Sequence, residues 1–218
     1  MQGIALSVRP EDVLYLDRVL LDENDRIRLL PAAEYKKIDP IHLMAWGGVR
    51  ARYSYPTVEL VEWIKNKIDG RSVIEIGAGN GDLGYHLGIK QTDNYSQLEP
   101  WVQLYYRMNG QVPTNPKPDV ENLDAIAAID KYKPKVVVGS FITQKAYDDS
   151  PNDGKSGNMF GPEELDILSR VDCYIHVGND GPHGNKRILK RPHEKHYFEW
   201  LVTKCVDPKK NAVYVWGK

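Results

Sequence analysis

The chain has 218 residues, of which 41% are hydrophobic and 27% are charged, and its formal net charge is −1. This length and composition predict a folded protein with a sizeable core and exclude overall disorder. A net charge near zero excludes a global electrostatic attraction to nucleic acid or to an anionic membrane.

The sequence predicts a cytoplasmic protein that does not enter a membrane. The first residues lack the apolar core and cleavage site of a signal peptide, and no apolar run approaches the ~20 residues that span a bilayer. Cys173 and Cys205 lie in strand-like apolar segments, so we expect two buried free thiols, with a disulfide between them as the alternative.

Residues 1–56 are predicted to form an N-terminal extension ahead of a domain over 57–218. EDVLYLDRVLL (11–21) fits a short helix, and the overlapping VLLDENDRIRLL (19–30) fits a hairpin equally well. The stretch over 41–57 is predicted to be irregular. Its aromatic residues are candidates either for a lid over a ligand or for core packing, and they are Trp46, Tyr53 and Tyr55.

The pattern from residue 57 alternates helices and strands. Helices are predicted over 57–70, shortly after the strand at 72–76, and over 98–110, 119–133 and 161–171. In the helix over 98–110, Trp101, Leu104 and Tyr105 are expected to face inward. Asp119 is expected to be the N-cap of the helix over 119–133. Strands are predicted at 72–76, 89–93, 135–143 and 172–178, with a closing hairpin over 197–216 around the turn DPKKN. The third strand falls on QVPTNPKP (111–118), whose three prolines suit only an edge.

This order predicts an α/β fold with a doubly wound, mainly parallel seven-stranded sheet and a C-terminal antiparallel hairpin, plus the N-terminal extension. Ligands of such sheets bind beyond the carboxyl ends of the strands. The turn after the first strand, GAGNGDLG (77–84), lies there and holds four glycines, which let a backbone approach a ligand closely. A dinucleotide fingerprint would need glycine where Asp82 stands, and a carboxylate there repels a pyrophosphate. A nicotinamide-dependent reductase is therefore disfavoured.

The stretch EIGAGNG (75–81) resembles the first motif of class I S-adenosylmethionine-dependent methyltransferases, over a domain of residues 57–218. The resemblance implies that S-adenosylmethionine is the cofactor and that Glu75, Gly77, Gly79 and Gly81 contact it. It further implies that Asp93, at the end of the second strand, accepts the ribose hydroxyls. An acidic residue after the third strand would face the adenine, and Asp119 is assigned there, with Asp124 as the alternative.

The methyl acceptor is unknown from the sequence, and no catalytic residue is assigned. Ser140 is assigned to the cofactor site and, together with Thr143, Gln144 and Tyr147, is a candidate to shape the acceptor pocket. The loop after the fourth strand lacks the Asn/Asp-Pro-Pro-aromatic and Pro-Cys signatures of enzymes that methylate nucleic-acid bases. The basic segment KRILKRPHEKH (186–196) fits an acidic or phosphate-bearing substrate, or a solvated loop.

The histidines are candidates for a metal site. The histidines at 176, 183, 193 and 196 resemble metal ligands only loosely, because no third carboxylate is clearly placed, and no metal is predicted. The alternative function is a non-catalytic protein that keeps a methyltransferase fold. The proline-broken third strand and the loop after the fourth strand favour this alternative.

Overall fold

The computed structural model describes residues 8–147, 157–205 and 207–218. Within them one sheet holds the strands β1 (Val73–Ile76), β2 (Lys90–Asp93), β3 (Val120–Asn122), β4 (Val136–Ser140), β5 (Cys173–Asn179), β6 (Glu194–His196) and β7 (Asn211–Gly217). The strand order is β3-β2-β1-β4-β5-β7-β6, and β7 runs antiparallel to both β5 and β6. The predicted fold class is confirmed.

The α-helices of the described chain are α1 (Asp17–Leu20), α2 (Ala32–Tyr35), α3 (Pro40–Val49), α4 (Val58–Ile68), α5 (Asp82–Leu87), α6 (Pro100–Met108), α7 (Ala125–Tyr132), α8 (Glu164–Arg170) and α9 (Asp180–His183). None of them combines the length and apolarity that crossing a membrane requires.

Helices cover both faces of the sheet because its central strand is apolar on both. In β4, Val136 and Val138 pack with α4 and α5, whereas Val137 points to the opposite face and packs with α7 and α8. Alternate residues of a strand point to opposite faces, so a continuous run of valines serves both layers.

The N-terminal extension has an apolar cluster of its own. Trp46 and Tyr55 are fully buried in it, beside Leu16, Ile27 and Tyr35. Trp46 and Tyr55 therefore pack in the core, whereas Tyr53 lines a cavity that is described below. The domain boundary at residue 56 stays a prediction.

The two alternatives for residues 11–30 are both present in part. A 3-10 helix, Pro10–Leu16, runs into α1, and an antiparallel bridge from Leu21 to Ile27 then closes a tight turn. The Asp22 carboxylate holds this turn by accepting the backbone N–H of Arg26 at 2.8 Å.

The prediction of irregular structure over 41–57 is wrong, because α3 occupies most of the stretch. Asp39 caps this helix by accepting the backbone N–H groups of Ile41 and His42, and Pro40 takes its first position. Proline is favoured there since the first helical N–H needs no partner within the helix.

The third strand lies later in the chain than predicted. Val120–Asn122 pairs with β2, while residues 111–118 form a loop, so the prolines break no strand. The following helix begins after Asp124, whose carboxylate accepts the N–H groups of Ile126 and Ala127. Asp119 is therefore not the N-cap.

The inward face predicted for α6 is wrong. Trp101, Leu104 and Tyr105 are 56%, 59% and 52% exposed, whereas Val102 is buried. Trp101 packs instead against Phe160, with ring centroids 5.3 Å apart.

The closing hairpin is confirmed in its second strand and corrected in its first. The partner of β7 is β6 at 194–196, and the described residues between 197 and 205 form no strand. Cys205 therefore lies outside a strand and is half-buried, while Cys173 is buried in β5, and both are free thiols.

Candidate functional site

A cavity of about 1010 Å³ opens at the carboxyl ends of β1, β2, β4 and β5. Its lining includes the glycine turn after β1, the end of β2, the loop after β4, and residues 51–54 of the extension. This is the edge at which parallel α/β sheets bind ligands.

Gly79 lies at the centre of the glycine turn. Its φ of +56° is a left-handed conformation, and an added Cβ would stand 3.2 Å from Thr114 Cγ2. Its backbone N–H donates to Asp93 Oδ2 at 2.9 Å. Glycine is thus required here by backbone conformation as well as by the proximity of the cavity.

Glu75 is buried at the floor of the cavity beneath this turn. Its Oε2 accepts the backbone N–H of Gly84 at 2.8 Å, an approach possible because Gly84 has no Cβ, which would lie 2.5 Å from that oxygen. Burial raises the pKa of the Glu75 carboxyl to about 8, against the lowering effect of the Gly84 hydrogen bond.

The other two predicted glycines differ in their surroundings. Gly77 lines the cavity, but Gly81 is not among its described lining residues. The Gly81 carbonyl accepts a hydrogen bond from Arg26 Nη1 at 2.6 Å, and an added Cβ would lie 2.5 Å from Val120 Cγ2. Gly81 therefore packs against the extension and β3.

Asp93 ends β2 and lines the cavity, where its sequence position placed it. Besides the Gly79 contact, its Oδ1 accepts the backbone N–H of Tyr95 at 2.9 Å. Burial raises the pKa of this carboxyl, although both hydrogen bonds oppose the shift. Asp93 therefore connects β2 to the glycine turn, and each of its oxygens keeps a lone pair for a ligand.

The placement of Asp119 after the third strand is wrong. It precedes β3, at the amino end of the strand, and its carboxylate binds the Arg26 guanidinium and Gln91 Nε2. Neither Asp119 nor Asp124 is among the described residues that line the cavity. Neither is retained as a cofactor residue.

Side chains from the segment between β2 and β3 also line the cavity. Gln97, Tyr106 and Thr114 line the cavity near the glycine turn, and Gln97 Oε1 accepts the Thr114 backbone N–H at 2.8 Å. Thr114 Oγ1 is buried without a hydrogen-bond partner in the described chain. A buried hydroxyl without a hydrogen-bond partner in the wall of a cavity can form a hydrogen bond with a polar ligand. No sequence motif marked these residues.

The extension contributes a buried ion pair to the site. Arg52 lines the cavity and lies 3.0 Å from Asp82 Oδ2, and both side chains are nearly inaccessible. Asp82 stands in the first turn of α5, where its Oδ1 also accepts the Ile27 N–H at 3.0 Å. The extension thus holds a carboxylate in the first turn of α5.

The loop after β4 forms the far side of the cavity. The Ser140 hydroxyl is 2.5 Å from that of Ser54, and Phe141 adopts a left-handed φ of +55°. The Phe141 ring contacts His183 at a centroid distance of 5.0 Å. A non-glycine residue in this conformation is often found at functional sites.

Of the acceptor candidates, Thr143 and Gln144 line the cavity, and Tyr147 is not among the described lining residues. Gln144 Oε1 accepts the Arg187 backbone N–H at 2.8 Å, and the Arg187 guanidinium stacks over the Tyr147 ring at 3.5 Å.

The predicted basic segment does not form one cationic patch. Lys186 is buried and donates to Glu164 Oε1 at 2.6 Å, while Lys195 pairs with Asp180 at 2.7 Å. Burial lowers the pKa of the Lys186 ammonium, and Glu164 opposes that shift. The first lysine of the segment thus belongs to the buried interior beside the cavity.

Two histidines lie beside this pair. His176 Nε2 is 3.4 Å from Lys186 Nζ, and the rings of His176 and His183 are 4.9 Å apart. His183 Nδ1 accepts the Asn179 N–H at 3.0 Å, and burial lowers the His183 pKa to about 3. Within the described residues, no three His, Cys, Asp or Glu side chains are grouped to hold a metal ion.

The fold and this site define a doubly wound α/β protein with a ligand-sized cavity at the carboxyl ends of its parallel strands. No family model matches the chain, and no curated protein matches it. Among solved structures it is similar to a proposed RNA methyltransferase from Pyrococcus horikoshii, with 15% identity, a TM-score of 0.35, and coverage of 73% of this chain and 80% of that one. It is also similar to the Thermoplasma acidophilum protein 1320, with 15% identity, a TM-score of 0.32, and coverage of 84% and 92%.

Proposed function

We propose that the protein is an S-adenosylmethionine-dependent methyltransferase. The observation that carries the proposal is the contact between Asp93 and Gly79, which joins the end of β2 to the glycine turn at the cavity rim. Asp93 would accept the ribose hydroxyls through its free lone pairs, and the turn would lie against the amino-acid end of the cofactor.

The charges of the site support a cationic ligand. Glu75 and Asp93 both line the cavity, and burial raises both pKa values. A sulfonium or ammonium group nearby would favour the ionised carboxylates, so binding would recover part of their desolvation cost. When bound, S-adenosylmethionine supplies an activated methyl group, and the chain's part is to hold the acceptor in line with it.

Asp82 supports this ligand over a dinucleotide. A pyrophosphate would bind at the N-terminus of α5, and the Asp82 carboxylate lies in the first turn of that helix, where it pairs with Arg52. The structure also removes one reason for the non-catalytic alternative, because the prolines at 113, 116 and 118 lie outside β3.

Isothermal titration calorimetry and thermal unfolding, each with S-adenosylhomocysteine and with NAD, test the proposal. We expect one S-adenosylhomocysteine site per chain, and a gain in unfolding free energy of roughly 2.7 kcal/mol at 100 times the dissociation constant. Binding of NAD without binding of S-adenosylhomocysteine would reject it.

A further inference from the structure

We propose that the methyl acceptor is a small molecule with an acidic group, a carboxylate or a phosphate, that pairs with the ammonium of Lys204. This inference rests on the proposed function and names the substrate class of the same cavity. It is carried by the position of Lys204, by the absence of a counter-ion for it among the described residues, and by the aromatic residues beside it.

The backbone fixes Lys204 next to Tyr53. The Lys204 N–H donates to the Tyr53 carbonyl at 3.1 Å, and an antiparallel bridge joins the neighbouring Ser54 and Thr203. The ammonium lies over the Tyr53 ring, 3.9 Å from its centroid. Both residues line the cavity, so a ligand there would meet the cation at a defined place.

Lys204 differs from the other cations of the cavity, because the described residues give it no carboxylate partner. Ion pairs within the described chain join Arg52 to Asp82, Lys186 to Glu164 and Lys210 to Asp207. Lys204 forms none with the described residues, and its titratable neighbour is the Cys205 thiol. Burial lowers its pKa, which reports the cost of keeping this ammonium charged without a carboxylate. An incoming anion would remove that cost.

The aromatic residues indicate where the body of the acceptor would lie. Tyr53 and Phe141 have ring centroids 6.1 Å apart, and Phe141 in turn contacts His183. Tyr53, Phe141 and His183 all line the cavity. Apolar ring faces beside one unpaired cation suit a flat organic acid better than a neutral or a highly charged ligand.

The test is a calorimetric titration of benzoate, phenyl phosphate and the neutral benzamide into the protein, with and without saturating S-adenosylhomocysteine. We expect one or both anions to bind roughly tenfold more tightly than benzamide, equivalent to about 1.4 kcal/mol. The anion that binds identifies the acidic group. Lys204→Met should lose the preference, and Lys204→Arg should keep it.

Lys209→Met is the matched control, because Lys209 is an exposed lysine five positions further along the chain and is not among the described lining residues. Equal binding of benzoate, phenyl phosphate and benzamide to the parent protein would overturn the inference. A preference for the anions that persists in Lys204→Met would also overturn it. If Lys204→Met does not fold, the binding of the anions and of benzamide is compared between Lys204→Arg and the parent protein. Failure of S-adenosylhomocysteine to bind would instead count against the proposed function, since the anions are also titrated without it.

Discussion

The backbone N–H of Gly79 donates to the side chain of Asp93 across 2.9 Å, so the second strand holds the turn that follows the first. The same carboxylate also accepts the N–H of Tyr95. Asp93 therefore has a structural part in addition to the ribose contact proposed for it.

Asp93→Ala should affect both affinity and stability. Hydrogen bonds to a charged acceptor contribute ~1.5 to 3 kcal/mol each, so S-adenosylhomocysteine binding should weaken by roughly tenfold to a few hundredfold. The free energy of unfolding should fall by on the order of 2 kcal/mol, because two backbone N–H groups lose their acceptor. Calorimetry and urea unfolding measure the two effects.

Asp124→Ala provides the comparison. Asp124 caps α7 and is not among the described cavity residues, so its loss should cost about 1 kcal/mol of stability without changing affinity. Unchanged affinity in Asp93→Ala would remove Asp93 from the cofactor site.

Gly79→Ala should abolish or strongly weaken S-adenosylhomocysteine binding. Alanine in the left-handed conformation costs about 1 to 2 kcal/mol, and its Cβ would press on Thr114 at the cavity wall. Gly88→Ala is the matched control, since Gly88 has a φ of +71° and no atom within 4 Å of an added Cβ. Both variants should lose similar stability in thermal unfolding, but only Gly79→Ala should lose affinity by about tenfold or more. Equal affinities would place the ligand away from the turn.

Glu75→Gln should change how stability depends on pH. The folded protein holds a proton on Glu75 up to a pKa of about 8, while the unfolded chain releases it near 4.5. The parent protein therefore loses stability from this group as pH rises between these values, by on the order of 5 kcal/mol in total. Urea unfolding of both proteins from pH 5 to pH 8 should show that the free energy of unfolding of the variant rises relative to that of the parent protein. A constant difference over this range would mean that Glu75 ionises normally.

Lys186→Met should destabilise the protein by about 3 to 5 kcal/mol, because it leaves the Glu164 carboxylate buried without its cation. Adding Glu164→Gln should restore part of that loss, since no unpaired charge then remains. The partly exposed pair of Lys195 and Asp180 is the control, and Lys195→Met should cost about 1 kcal/mol or less. Chemical denaturation of the parent protein, Lys186→Met, Glu164→Gln and the double variant completes the cycle, and purely additive losses would contradict a coupled pair.

The confirmed predictions rest on local patterns. β1, β2, β4, β5 and α4 follow from apolar runs and helical spacing. Glu75, within β1, and Asp93, at the end of β2, both line the cavity, and their contact with a cofactor stays a prediction. One failure occurs where two residues of the same type compete. Asp119 and Asp124 are equally good helix caps in sequence, and the pairing of Val120 with Gln91 decides that a strand lies between them.

The sequence by itself determined the alternation of strands and helices and the position of the glycine turn, because hydrophobic periodicity and glycine act over a few neighbouring residues. Only the tertiary structure decided which charges are paired. Lys186 reads as one residue of a solvated basic run, yet it is buried against Glu164, and Lys204 meets Tyr53 from far along the chain. The sheet brings these residues together at one edge, and contacts over such separations leave no periodic signal in the sequence.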